Sequence, residues 1–153
     1  RAAVGPDLPH RRNGNKYSGA VDRLRPVLVW TEKLVWEMIE RYRVRVHPCY
    51  YMGWARCSCK FCIFSSANQM ASAALISPDL MKEIIDYELM FNYTMKRDMT
   101  LPEFISKGIP YPSITSELIA LATGTIYDKS IIIPDSEPWL LPAGAYGESA
   151  GPN

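Results

Sequence analysis

The chain of 153 residues has four cysteines, Cys49, Cys57, Cys59 and Cys62, and all of them fall inside one stretch, HPCYYMGWARCSCKFCIF. A disulfide framework spreads its bridges to staple distant loops, so this clustering points to thiolate ligation of a metal or to reduced thiols. Cys59-Lys60-Phe61-Cys62 is a C-x-x-C pair, a spacing that lets two thiolates face one ion or cluster. Cys49 and Cys57 complete a set of four thiolates, the ligand count of structural zinc or of an iron–sulfur cluster. The Cys57-Ser58-Cys59 pair bends the backbone tightly if both thiolates serve one ion. Two plainer readings remain beside this one. The thiols are reduced and inert, packed as small hydrophobes, or they form a thioredoxin-like redox pair, for which the flanking βαβ pattern is missing.

The neighbours of the cysteines carry the rest of the chemistry. Arg56 and Lys60 are expected to lower thiol pKa values, to balance thiolate charge and to hold a phosphate or sulfate through charge-assisted hydrogen bonds. The alternative for both is a solvated basic loop. His47, just before Pro48 and Cys49, is either a metal ligand or substrate contact, or a residue that caps and packs. Trp30, Trp36, Tyr50, Tyr51 and Trp54 supply either a stacking surface for a base or core aromatics. Asp79, Glu83, Asp86 and Glu88 read as the solvated face of one helix. No Ser/His/Asp order, His-Glu-x-x-His or phosphate-loop pattern is present, which removes those enzyme classes.

The elements that must position these residues are mostly helices joined by long loops. Residues 1–20 are polar and turn-rich, with the basic cluster His10, Arg11 and Arg12, and are expected to form a basic arm or loop. Residues 21–30, broken by Pro26, suit an extended lead-in. Thr31 then caps an amphipathic helix over 32–43, with Leu34, Val35, Met38, Ile39 and Tyr42 at helical spacing. Arg41, Arg43 and Arg45 follow where cations suit the helix dipole. Further helices are expected over 68–76, over 78–93 behind a Ser77-Pro78-Asp79 start, from Thr100 to Gly108, and over 114–123. Residues 125–133 read as extended. The tail over 134–153 is Pro/Gly-rich and without period, so the reading is one body over 21–133 between an arm and a tail.

Composition excludes several classes. Hydrophobic residues at 48% and charged residues at 22% rule out a disordered tail, a collagen-like chain or a coiled-coil rod. A net charge of +1 argues against a broad nucleic-acid surface, though not against a local basic patch. No apolar run reaches the roughly 18–20 residues that span a bilayer, and the first residues have no signal architecture. No membrane partner and a cytoplasmic location are therefore expected. Twelve prolines and nine glycines require extensive loops. With no initiating Met, the chain reads as part of a longer protein.

Trp30-Thr31-Glu32, Val35-Trp36, His47-Pro48-Cys49-Tyr50, Gly53-Trp54, Arg56, Ser58-Cys59 and Cys62-Ile63-Phe64 together resemble the C-terminal half of phosphoadenosine phosphosulfate (PAPS) reductase-family proteins, the phage and mobile-element type in particular. The tail Trp139, Leu141 to Glu148, is similar to theirs, and Arg11-Arg12 is similar to the Arg-rich loop that meets the nucleotide's sulfate or phosphates. The resemblance implies the C-terminal portion of an α/β adenine-nucleotide α-hydrolase-like fold, with substrate contacts at Arg11, Arg12, Arg56 and Lys60. It implies reductive or sulfur-transfer chemistry on an adenylylated sulfate or related nucleotide, with an electron donor such as thioredoxin. The family's Ser/Gly-rich phosphate loop is absent from this sequence, so a nucleotide-binding N-terminal half is expected in cis or in trans, and the chain alone is expected to be inactive. The family's Glu-Cys-Gly-Leu-His type of tail is absent too.

In the related adenylyl-sulfate reductases a C-x-x-C matching Cys59 and Cys62 ligates a 4Fe-4S cluster with an upstream cysteine pair. That pair is missing here, so Cys49 and Cys57 are expected to stand in for it, with zinc as the alternative cofactor. The alternative function is a non-catalytic zinc-stapled module that binds a protein or nucleic acid through its basic arm.

Overall fold

A computed structural model describes residues 10–13 and 21–147, with side chains over 25–147. The chain divides into two compact units, Arg1–Arg41 and Tyr42–Asn153. Strands among the described residues are confined to one antiparallel pair, so the mainly helical reading holds.

In the first unit, strand β1 (His10–Asn13) pairs with β2 (Val21–Leu24) in the register His10↔Leu24 to Asn13↔Val21. The stretch expected to be an arm or loop therefore contains a strand. His-Arg-Arg-Asn has no apolar alternation, so sequence pattern does not reveal it; cross-strand pairing satisfies backbone groups whatever the side chains. Residues 1–9 and 14–20 of that arm lie outside the described residues. Two turns around Pro26 follow, closed by Leu28 N–H to Arg25 O at 3.1 Å and Trp30 N–H to Val27 O at 3.2 Å. The Thr31 hydroxyl accepts from Leu34 N–H at 3.2 Å and starts helix α1 (Glu32–Arg41). Trp36 is the buried residue of α1, and its indole N–H donates to Glu32 Oε1 at 3.4 Å.

The second unit opens on a correction to the arginine run. Arg43 adopts a left-handed φ of 51°, and its guanidinium donates to the carbonyls of Ile133, Pro134 and Glu137. Arg45 forks onto the Glu137 carboxylate at 3.0 and 2.9 Å. Both cations thus fasten a distant loop and do not serve the end of α1. The extended reading of 125–133 is met where Val44 and Ile132 form an antiparallel bridge, with Arg45 N–H to Ile131 O at 2.7 Å.

Helix α2 (Pro48–Met52) follows, then α3 (Ala67–Ile76), α4 (Pro78–Phe91), α5 (Leu101–Ser106) and α6 (Ser116–Thr123). Capping boxes start α3 (Ser66 with Gln69) and α5 (Thr100 with Glu103), and the Thr115 hydroxyl caps α6. Ser77 precedes α4 but makes no side-chain cap; its hydroxyl accepts from Lys60 Nζ at 2.8 Å instead. Met70, Met81 and Leu101 form the core cluster of α3, α4 and α5, with Phe61, Ile84, Ile85 and Phe104 packed on it.

Two polar groups lock that core. Buried Ser72 donates to Asn68 O at 2.7 Å and accepts from Tyr111 N–H at 2.9 Å. Glu88, expected on a solvated face, accepts from Met95 N–H at 2.6 Å and Leu101 N–H at 2.8 Å, pinning the loop between α4 and α5. Asp79, Glu83 and Asp86 are exposed as expected. No helix among the described residues is long and apolar enough to cross a membrane.

Candidate metal centre

Helix α2 is only five residues long, and each end is fixed by a specific residue. Pro48 occupies its first position, where a missing N–H costs nothing and φ is already helical. His47 Nδ1 accepts from Cys49 N–H at 3.1 Å, which caps the N-terminus. Gly53 ends the helix at φ 115°, the left-handed region open to glycine, and its N–H reaches Cys49 O and Tyr50 O. That reversal sends the chain back past its own helix. Cys57 N–H then donates to the Tyr50 phenol oxygen at 3.2 Å, which brings Cys57 beside Cys49.

The result is a cluster. The ligand atoms of His47, Cys49 and Cys57 all lie within 4.8 Å of one another, and these three could hold a metal ion. A tetrahedral zinc ion, with bonds of about 2.0–2.3 Å, needs ligand separations of about 3.6–3.8 Å, so a modest contraction closes the set. Burial, joined by the neighbouring Cys57 sulfur, pushes the Cys49 thiol up to about 12. The thiol is therefore protonated at neutral pH without metal, and a bound cation displaces that proton.

A cavity of about 230 Å³ opens beside the cluster, and His47, Cys49 and Cys57 are part of its wall. Arg56, Lys60 and Cys59 line the same cavity, as does Trp54. Trp54 is braced edge-on against Tyr111, with ring centroids 5.1 Å apart. Arg56 has no hydrogen-bond or ion-pair partner among the described residues, whereas Lys60 is steadied by Ser77. The tail closes over this segment from outside. Gly144 N–H donates to Tyr50 O at 2.8 Å, and a Cβ at Gly144 would lie 2.0 Å from Trp54 O, so only glycine admits this approach.

The sequence-derived candidates divide accordingly. Cys49 and Cys57 come together; Cys59 is exposed on the cavity wall, and neither Cys59 nor Cys62 joins the three-residue group. Phe61, between the last two cysteines, packs on the core, and Cys62 is half-buried. Its sulfur opposes the downward pull of burial on the pKa of Lys96. The described residues bring three ligand atoms to single-ion spacing, one of them on an imidazole, and that donor set is compatible with one zinc ion. Arg56 and Lys60 share the site. Arg11 and Arg12 lie on β1 of the first unit, opposite Arg23 and Asp22, and their side chains lie outside the described residues.

His47 is the residue whose role only the fold decides. The sequence offered it as a ligand or as a cap, and the structure shows it capping α2 with its ring close to Cys49 and Cys57. No protein-family model, no curated protein and no solved structure matches this chain.

Proposed function

We propose that the chain is a zinc-binding module in which His47, Cys49 and Cys57 hold one ion whose remaining position opens on an anion pocket. The observation that carries this reading is the convergence of those three ligand atoms within 4.8 Å at the wall of a cavity that Arg56 and Lys60 also line. Three protein ligands and one open position are the arrangement by which zinc reaches an exogenous ligand. When bound, zinc supplies Lewis acidity and positive charge at that position. Arg56 offers a planar fork of donors, and Lys60 a point charge, to phosphate or sulfate oxygens.

The resemblance to PAPS reductase-family proteins supplies the substrate class: an adenylylated sulfate or a related nucleotide, handled in reductive or sulfur-transfer chemistry with a nucleotide-binding half and an electron donor such as thioredoxin. In this reading Cys59, exposed on the same cavity wall, is a thiol not committed to the metal. Purification without oxygen followed by assay of zinc, iron and acid-labile sulfide tests the proposal. One zinc per chain, lost in Cys49→Ser, supports it; stoichiometric iron and sulfide that depend on Cys59 and Cys62 replace it with the four-thiolate cluster.

A further inference from the structure

We infer that metal occupancy of the His47–Cys49–Cys57 site and capping of α2 by His47 exclude each other, so that metal binding frees the Cys49 amide in the first turn of α2. This inference rests on the zinc reading above. It follows from counting lone pairs. A neutral imidazole carries one N–H and one bare nitrogen. In this structure the bare nitrogen is Nδ1, because it accepts from Cys49 N–H at 3.1 Å.

Two routes lead to a metal complex, and both break that bond. A metal on Nδ1 takes the lone pair that the amide uses. A metal on Nε2 needs the lone pair there, so the ring proton moves to Nδ1, which then meets Cys49 N–H donor to donor. Metal-ligating histidines ordinarily donate their second N–H to a carbonyl, a carboxylate or water. The group facing His47 has the opposite polarity.

The surroundings permit the release and confine it. The His47–Cys49 bond is exposed, so water can replace it at the amide. The other ties of α2 do not use the His47 ring: Trp54 N–H on Cys49 O at 3.0 Å, Gly144 N–H on Tyr50 O at 2.8 Å, and the Gly53 cap. The change is thus local to the N-terminal turn, while the Gly53 reversal still holds Cys57 near Cys49. Loss of an N-cap of ordinary strength lowers the apparent metal affinity by roughly fivefold. The site then binds zinc more weakly than its ligand set alone would, and the helix reports its occupancy.

Backbone amide hydrogen exchange of the full chain, with and without one equivalent of zinc, tests this, alongside zinc affinity measured by chelator competition. The expected result is inverted from ordinary ligand protection: zinc binds, and exchange at Cys49 accelerates by about fivefold while Cys57 does not accelerate. His47→Asn keeps a good capping residue but removes the imidazole. It should leave Cys49 equally protected with and without zinc, and weaken zinc by more than about tenfold. Zinc binding with Cys49 as protected as before overturns the inference and leaves the metal reading standing. Unchanged zinc affinity in His47→Asn also overturns it, since His47 is then no ligand. Absence of zinc binding to the full chain overturns the metal reading and the inference together.

Discussion

The α3–α5 core and the cysteine segment sit in the same unit and are built on opposite principles. The core is apolar and closed: Met70 and Leu101 are fully buried, and every neighbouring helix start is set by a Ser or Thr cap or a proline. The cysteine segment is half-exposed, and single hydrogen bonds tie it down: Cys57 N–H on the Tyr50 phenol oxygen, Cys49 N–H on His47 Nδ1 and Gly144 N–H on Tyr50 O. Burial of apolar area stabilises the first, and in the proposed function a metal ion completes the second. Stability and ligand chemistry are therefore separable by mutation, even though Phe61 links the two by packing its ring on the core between Cys59 and Cys62.

Substitutions can break or sharpen that contrast. The largest effect is expected at Met70→Ala, which removes a fully buried side chain and should destabilise by about 2–5 kcal/mol in chemical denaturation. Zinc bound per folded chain should not change; a parallel loss of zinc would join the two regions into one. Cys57→Ser should do the reverse. It should weaken zinc by more than about 100-fold by chelator competition, with metal-free stability within about 0.5 kcal/mol of the parent, since Cys57 is exposed.

Gly144→Ala probes the seam between tail and site. Its Cβ would overlap Trp54 O, and the expected cost is about 1–3 kcal/mol with a looser cysteine segment and weaker zinc binding. Unchanged affinity would show that the tail does not brace the site. The smallest effect belongs to Glu137→Gln. The Arg45 guanidinium holds the Glu137 carboxyl below the usual glutamate range. The pair therefore stabilises above that usual range, and its contribution fades as pH falls through the depressed value. A small stability deficit of the variant at neutral pH should vanish on acidification, with zinc affinity unchanged; a deficit that persists in acid would refute the ion-pair account.

The two regions also differ in how far the sequence discloses them. Thr31, Pro78 and Thr100 mark helix starts because capping is local chemistry, readable over three or four residues. Helix α2 escapes such reading, since five residues are too few to show a period. Strand β1 escapes because its partner lies eight residues or more away in sequence and its side chains carry no alternation. The candidate metal site is legible as a set of cysteines with His47 beside them, but not as the group that comes together. Spacing favours Cys59 with Cys62, a C-x-x-C pair, whereas the reversal at Gly53 and the Tyr50 phenol bring Cys57 to Cys49 and His47. Long-range polar contacts behave alike: Arg43 and Arg45 look like helix-end cations and instead fasten residues ninety positions away.

X-ray absorption at the zinc edge of the loaded chain tests the central claim most directly. A site made by His47, Cys49 and Cys57 predicts two sulfur ligands at about 2.3 Å, with one imidazole nitrogen and one further light atom at about 2.0–2.1 Å. Four sulfurs in the zinc shell, and no imidazole scattering, would contradict it and return Cys59 and Cys62 to the metal.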